Sequence, residues 1–129
     1  MNDASATWSS SAPFSDFLGI KVLREEGGEV EISLRSRPEL TNRKGDIHGG
    51  VLASLIDLAA SRATRSLGEL KGVSTVTLLT NYIAPAQGDI TIRATVLKAG
   101  RSTSFVDVRI CNADGDLAAT GSITLRIIR

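Results

Sequence analysis

The chain has 129 residues, 42% hydrophobic and 22% charged, with a formal net charge of +1 at pH 7. This length and composition suit one globular domain with one core, and the near-neutral charge excludes the basic surface typical of nucleic-acid-binding proteins. No apolar run is long enough to cross a bilayer, and the first residues lack the basic start and apolar stretch of a signal peptide, so we expect a cytoplasmic protein without a membrane partner.

The first part of the chain predicts a tail. Residues 1–13 are rich in Ser, Ala and Thr without periodicity, so we predict a flexible tail ahead of a single domain over residues 14–129. Trp8 in this tail is expected to be incidental or to dock on the domain or on a partner subunit. One short helical turn with an apolar edge is predicted next, from Phe14, Phe17 and Leu18.

The next segment predicts a β-hairpin, a loop and the main helix. Apolar and polar residues alternate on both sides of a turn at Glu26–Glu29, and Pro38 ends the second strand and begins a polar loop. A helix is predicted from about Gly49 to Leu67, because apolar residues recur there at helical spacing, and Gly68 is a natural stop. The apolar stripe comprises Leu52, Leu55, Ile56, Ala59, Ala63 and Leu67.

Four strand-like segments complete the chain and decide the fold class. Six strands with one long helix cannot form repeated parallel crossovers, each of which needs a helix or similar connection. We therefore predict an α+β fold, with a six-stranded antiparallel sheet curled around the helix. The helix covers one face and leaves the strand edges open, which favours oligomerisation. The four predicted strands are residues 73–83, 90–97, 104–111 and 117–127.

The polar loop runs through His48, Gly49 and Gly50 directly into the helix. The first helical turn offers unpaired backbone N–H groups at the positive end of the macrodipole. Glycines let a ligand approach those donors without a side chain in the way. This arrangement suits a carbonyl oxygen that becomes an oxyanion during acyl transfer.

Asp57 follows Gly50 by seven residues, almost two helical turns, so the two residues point to nearly the same side of the helix. On a helical wheel Asp57 lies apart from Arg62 and Arg65, which are predicted to point outward. Its neighbours there are small, which leaves room for a substrate or another subunit. A partly desolvated carboxylate at such a boundary can act as a base or nucleophile. The alternative is a helix residue paired with an arginine. The small neighbours are Ala53, Ala60 and Thr64.

The spacing of these residues resembles a known signature. Asn42, the six-residue step to His48, the glycine pair and the nine-residue step to Asp57 resemble hotdog-fold acyl-CoA thioesterases, in the branch typified by the phenylacetic acid degradation thioesterase. His-Gly-Gly alone is a weak signal, whereas the full spacing followed by a helix and strands is specific. The similarity extends from about Phe14 to the C-terminus. It includes Thr75, Tyr82-Ile83-Ala84-Pro85-Ala86, Asp114-Gly115 and Ala119-Thr120-Gly121.

The resemblance implies a hotdog fold, homodimers that often pair into homotetramers, and active sites at the dimer interface. In that branch Asp57 corresponds to a general base or nucleophile supplied by one subunit, and Gly49 to the amide of the oxyanion hole. The resemblance further implies that Asn42 helps to hold the thioester, His48 shapes the loop and Thr75 orients water. Read from the residues alone, His48 and Asn42 are equally typical of loop-shaping residues, and Thr75 of a β-strand former.

The predicted substrate is an acyl-CoA. Gly50 and Pro85 are candidate substrate-binding residues, and Arg43 and Arg101 are candidates to meet the coenzyme A phosphates, with a solvated surface charge as the alternative for each arginine. We expect no metal, since no second histidine is present, and no cofactor besides the coenzyme A of the substrate. Cys111 is the only cysteine, which excludes an internal disulfide.

The predicted function is hydrolysis of an acyl- or aryl-CoA thioester to a free acid and coenzyme A. One alternative is a non-catalytic acyl-CoA-binding or regulatory module of the same fold. Such a module would need the glycines to bind its ligand, but it would not need the Asp57 carboxylate. A hotdog dehydratase or hydratase is a further alternative, but it needs an acid/base pair placed on the acyl chain. A purely structural oligomer leaves the polar loop unexplained. The acyl group, the carrier (coenzyme A or acyl-carrier protein) and the choice between dimer and tetramer stay open.

Overall fold

The computed structural model describes residues 12–129. Most of the predicted tail, including Trp8, lies outside the described residues. The predicted short helix is present as α1, Pro13–Leu18, which ends at Gly19 in a left-handed conformation (φ 77°). Leu18 is buried in the core, whereas both phenylalanines of α1 are more than half exposed.

The six predicted strands form one antiparallel sheet, in the spatial order β1-β2-β4-β5-β6-β3. In β2, β5 and β6, buried positions filled mainly by aliphatic side chains alternate with more exposed positions that are mostly polar. The predicted α+β hotdog architecture is therefore confirmed, with strand ends that differ by one or two residues. The strands are β1 Lys21–Glu26, β2 Glu29–Arg35, β3 Gly72–Tyr82, β4 Asp89–Ala99, β5 Thr103–Asn112 and β6 Leu117–Ile128.

The long helix, α2, spans Gly49–Arg65 and contacts all six strands. It ends before the predicted Leu67, whose side chain is 46% exposed. The Ser66 hydroxyl donates to the Ala63 carbonyl (2.6 Å) and accepts from the Gly28 N–H (2.8 Å). These two bonds terminate the helix and tie its C-terminal end to the β1–β2 turn. None of the helices in the described part of the chain is long and apolar enough to span a membrane.

The prediction that Arg62 points outward is wrong. Its side chain is 13% exposed and pairs with the Glu25 carboxylate at 2.6 Å. The helical wheel assumed solvent on this side of α2, but β1 at the sheet edge brings Glu25 across it. Arg65 is also half-buried, and this burial lowers the pKa of its guanidinium.

The helix approaches the sheet closely at Gly121. A Cβ atom added there would lie 2.3 Å from the Cγ2 atom of the fully buried Ile56. Because neither the strand nor the helix can give way cheaply, we expect Gly121→Ala to lower the free energy of unfolding by about 1–3 kcal/mol, measured by urea denaturation. Gly100→Ala is the control, since its Cβ would meet nothing nearer than 3.8 Å. Equal shifts in both variants would contradict this account of the helix–sheet contact.

Strand β3 forms one edge of the sheet, and its outer edge is unpaired within residues 12–129. It is eleven residues long and exposes apolar side chains, with Val76 65% and Leu79 53% exposed. A long edge strand with apolar side chains is a template for pairing with another chain. This feature agrees with the predicted oligomerisation through an open sheet edge.

Candidate active site

The loop before α2 is more ordered than predicted. A 3-10 turn spans Pro38–Leu40, and Thr41 and Ile47 form an isolated β-bridge that closes the loop. Inside it, the Asn42 Oδ1 atom accepts the backbone N–H groups of Lys44 (2.9 Å) and Asp46 (3.2 Å).

Asn42 therefore has the loop-shaping role given above as an alternative. Its Nδ2 group donates no hydrogen bond to any residue of the described chain. Because the Oδ1 bonds fix the side chain, this amide group is left in a set orientation to donate to a ligand.

His48 caps α2 and determines which amides of the first turn remain available. Its Nδ1 accepts the Gly50 N–H at 2.8 Å, so a neutral ring carries its proton on Nε2. The His48 carbonyl accepts the N–H groups of Val51 (2.9 Å) and Leu52 (3.2 Å). Of the first four amides, that of Gly49 alone has no partner within residues 12–129. The free donor at the helix N-terminus is therefore Gly49, and the predicted ligand residue Gly50 has its amide engaged by His48.

Tyr82, the last residue of β3, packs directly on Gly49. Its hydroxyl donates to the Gly49 carbonyl at 2.9 Å, and its ring would lie 3.3 Å from a Cβ atom at that position. The absence of a Cβ atom at Gly49 thus leaves room for the aromatic ring. Tyr82 was among the residues that carry the resemblance, but its contact with Gly49 was not predicted. Its position as the only tyrosine, three residues before Pro85, was the available signal.

A pocket of about 330 Å³ lies where the loop, the start of α2 and the end of β3 meet. We call it the Gly49 pocket. It brings together three predicted residues, Asn42, Gly49 and Pro85. Its lining comprises Asn42, Asp46, Ile47, Gly49, Leu52, Tyr82, Ile83, Ala84, Pro85 and Ala86.

Side-chain hydrogen bonds of Gln87 and Asn112, neither of which was a predicted site residue, connect the segments that form the walls of the Gly49 pocket. Gln87 Nε2 donates to the Asp46 carboxylate (2.6 Å), which fixes the Asn42 loop to the β3–β4 connection. Asn112 accepts the Gln87 N–H (3.0 Å) and donates to the Pro85 carbonyl (2.9 Å). These partners lie 25 to 41 residues apart in the chain, so no local pattern indicates them.

Asp57 lies in a second cavity, also about 330 Å³, between α1 and α2. We call it the Asp57 groove. The Thr75 hydroxyl donates to Asp57 Oδ1 at 2.5 Å, so the structure brings together these two predicted residues. The bond orients one carboxylate oxygen and leaves the other for a ligand or water. The groove is lined by Ala12, Phe14, Ser15, Ser54, Asp57, Leu58, Ser61, Arg62 and Arg65.

The two cavities do not meet within one chain. Asp57 follows Gly49 by eight residues, which is about 12 Å along the helix axis. One reacting atom would have to lie about 3 Å from both the base and the oxyanion donor. The structure of one chain therefore separates the carboxylate from the free amide.

The two candidate arginines lie at opposite ends of the sheet. Arg43 is exposed in the loop next to Asn42, beside the Gly49 pocket. Arg101 is exposed in the β4–β5 turn, where its carbonyl accepts from Arg129 Nε at 2.9 Å. This turn is close to the start of β3, whereas the Gly49 pocket lies at the end of β3.

Residues 44–119, more than half of the chain, match the family model of the thioesterase superfamily. The chain belongs to the thioesterase superfamily. The match includes His48, both glycines, Asp57 and Thr75. It confirms the resemblance inferred from the spacing of these residues and assigns the chain to the thioester hydrolases. The roles of the individual side chains remain predictions.

Individual members of the thioesterase superfamily support this assignment. Acyl-coenzyme A thioesterase 13 of Homo sapiens is 35% identical over 116 residues, covering 86% of this chain and 82% of its own. The phenylacetic acid degradation protein PaaI of Thermus thermophilus, solved as a mutant, has a TM-score of 0.81 at 26% identity. The alignment covers 89% of this chain and 98% of that protein. A hypothetical thioesterase of Streptococcus pneumoniae, solved with coenzyme A, has a TM-score of 0.81 at 26% identity. The alignment covers 86% of this chain and 90% of that protein.

Proposed function

We propose that the protein hydrolyses an acyl- or aryl-CoA thioester to a free acid and coenzyme A. The observation that carries this proposal is that one helix bears two chemical groups suited to acyl transfer. One is the Asp57 carboxylate, oriented by Thr75, and the other is the free Gly49 amide at the N-terminus of the helix. Acyl transfer needs a base or nucleophile and a donor to the developing oxyanion. The printed names of the relatives, an acyl-coenzyme A thioesterase and a thioesterase with coenzyme A, favour the coenzyme A thioester as substrate.

Two copies of the chain would unite the separated groups. Thr75 lies near the start of β3 and Tyr82 at its end. If two β3 edges pair antiparallel across a twofold axis, the start of one strand lies beside the end of the other. Thr75 and Asp57 of one copy then approach the Gly49 pocket of the second copy. We therefore propose a homodimer with two interface sites, and a dimer of dimers as the assembly implied by the resemblance.

In the proposed reaction, the Asp57 carboxylate takes a proton from a water molecule whose oxygen forms a bond to the acyl carbon. The carbonyl oxygen becomes an oxyanion that accepts the Gly49 N–H, with Asn42 Nδ2 as a second donor. The C–S bond then breaks, and the proton held by Asp57 passes to the coenzyme A thiolate. Direct attack by the carboxylate, followed by hydrolysis of the anhydride, is the other route open to Asp57. Thiolate is a good leaving group, so one carboxylate is sufficient.

Coenzyme A would lie over the Gly49 pocket in this proposal. Arg43 stands beside that pocket, and antiparallel pairing of β3 brings Arg101 of the second copy to the same end. Guanidinium groups are well suited to the phosphates of coenzyme A. Pro85 contributes to the pocket wall. Gly50 lies outside that wall, and a Cβ atom there would lie 3.1 Å from the His48 ring, so its proposed part is to leave room for this ring.

Release of free thiol from purified protein given a panel of aryl- and aliphatic-acyl-CoAs tests the proposal, alongside light scattering for the oligomeric state. Turnover by a homodimer or homotetramer supports it. Binding of acyl-CoA without thiol release would replace it with the non-catalytic binding module. Turnover by a stable monomer would refute the interface site.

Asn42→Asp separates the two roles of this side chain. Aspartate keeps the oxygen that accepts the Lys44 and Asp46 N–H groups, but it replaces the Nδ2 donor with an acceptor. We expect the thermal stability to be nearly unchanged and kcat/KM for thiol release to fall by about tenfold to a hundredfold, because a proposed donor to the thioester is replaced by a charged acceptor. Lys21→Gln is the control, because it also lowers the net charge by one and lies exposed on β1, at the sheet edge opposite β3. A normal kcat/KM in Asn42→Asp would leave Asn42 with the loop-shaping role alone.

A further inference from the structure

One wall of the Asp57 groove has no part in the proposed chemistry. It is formed by α1, which presents Phe14 and Ser15 to the same cavity as Asp57. Phe14 is 56% exposed, although a phenylalanine ring gains free energy on burial. Across the cavity Leu58 is partly exposed as well, and its inner side packs on the core. Two apolar side chains thus face a cavity that also contains the proposed base.

The body of the protein holds α1 at its C-terminal end. Arg37 donates to the carbonyls of Leu18 (2.9 Å) and Phe17, and its guanidinium carbon lies 5.0 Å from the centre of the Phe17 ring. Leu18 is 1% exposed. The two phenylalanines of α1 therefore differ in what they contact: Phe17 stacks on Arg37, and Phe14 lines the groove. The bonds from Arg37 to the two backbone carbonyls and the buried Leu18 side chain do not depend on the Phe17 ring. They hold α1, and with it Phe14, beside α2.

The position of Asp57 constrains what occupies the groove. If Asp57 activates water at the acyl carbon, that carbon lies against Asp57, and the acyl substituent starts there. Leu58 and Ser61 continue the floor of the groove over the next turn of α2. A cavity of about 330 Å³ is at the small end of ligand-binding pockets, so a side chain in its wall takes a large share of the space.

We propose that Phe14 determines the acyl-chain specificity of this enzyme. The acyl chain passes between Phe14 and Leu58, and the Phe14 ring limits its length and bulk. The ligand class is an apolar acyl group, aliphatic or aromatic, attached to the thioester at Asp57. This inference rests on the proposed function for the position of the acyl carbon. It does not depend on the way in which Asp57 acts.

The test compares Phe14→Ala and Phe14→Trp with wild type on butyryl-, octanoyl-, palmitoyl- and benzoyl-CoA. We expect Phe14→Ala to raise the ratio of kcat/KM for palmitoyl-CoA to that for butyryl-CoA by about tenfold or more, and Phe14→Trp to lower it, since each methylene in an apolar pocket changes binding substantially. Phe17→Ala is the matched control, because Phe17 has the same side chain on the same helix with 54% exposure but does not line the groove. It is expected to lower stability and leave the ratio unchanged.

A second readout separates this inference from the proposed hydrolysis. Calorimetric affinities for the S-butyl, S-octyl and S-hexadecyl thioethers of coenzyme A report the fit of the chain without any reaction. The relevant quantity is the ratio of the affinity for the S-hexadecyl thioether to that for the S-butyl thioether. If wild type releases no thiol but Phe14→Ala raises this ratio and Phe14→Trp lowers it, hydrolysis fails and the role of Phe14 stands. The inference about Phe14 is overturned if neither the kcat/KM ratio nor the affinity ratio changes in either Phe14 variant. It is also overturned if Phe17→Ala changes these ratios as much as Phe14→Ala does.

Discussion

Replacement of Asp57 with asparagine is expected to lower kcat for thiol release by about a hundredfold or more, with the fold and oligomeric state intact. The amide is isosteric with the carboxylate, and its oxygen can still accept the Thr75 hydroxyl that now binds Oδ1 at 2.5 Å. What the variant loses is the negative charge and the ability to take a proton from water. The loss should therefore appear in kcat, with KM little changed.

The measurement is steady-state thiol release on the best substrate of the panel, with light scattering and a thermal melt on the same samples. Asp89→Asn is the matched control, because Asp89 is an exposed carboxylate paired with Arg35 and lines neither cavity. A rate near wild type in Asp57→Asn would remove Asp57 from the reaction. It would leave this carboxylate as a residue that only holds Thr75.

Gly49→Pro is the second change with a large expected effect, because it removes the proposed oxyanion donor without breaking the helix. Gly49 is the first helical residue, where proline is favoured and its missing N–H is not needed for the helix. The preceding residue, His48, already has the extended conformation that proline requires (φ −59°, ψ 138°). We expect kcat for thiol release to fall by about a hundredfold to a thousandfold.

Gly49→Ala provides the necessary comparison. Both substitutions add a Cβ atom that would lie 3.3 Å from the Tyr82 ring, but alanine keeps the N–H. A much smaller loss in Gly49→Ala than in Gly49→Pro would assign the effect to the lost donor. Equal losses would assign it instead to the crowding of Tyr82, and circular dichroism would report whether the start of α2 is retained.

Local patterns were sufficient to predict the fold. Most strands showed alternation, the β3 segment was a strand-like run without it, and the helix showed a single apolar stripe, so the number and type of the elements followed from the sequence. The end of α2 did not, because it depends on Ser66 reaching Gly28, 38 residues away in the chain. Arg62 was assigned to solvent for the same reason: the strand that covers it is distant in sequence.

The site was predictable in its parts and not in its geometry. The spacing of Asn42, Gly49 and Asp57 resembles a known signature, and the family match confirms the superfamily that it indicated. The roles of the three residues stay predictions. The resemblance pointed to the Gly49 amide, but only the structure shows that His48 occupies the Gly50 amide and leaves that of Gly49 free. The contact of Tyr82 with Gly49 was not predicted either, because it joins residues 33 positions apart and no local sequence pattern indicates it.

The separation of Asp57 from Gly49 along α2 also has a thermodynamic consequence. If a substrate must touch one group from each of two chains, it binds the assembled form and has little affinity for the single chain. Linkage then requires that the substrate strengthens assembly, by about 2.7 kcal/mol for each site at a free concentration a hundred times its Kd. At low protein concentration the supply of acyl-CoA would thus regulate how many complete sites exist, as well as how many are occupied.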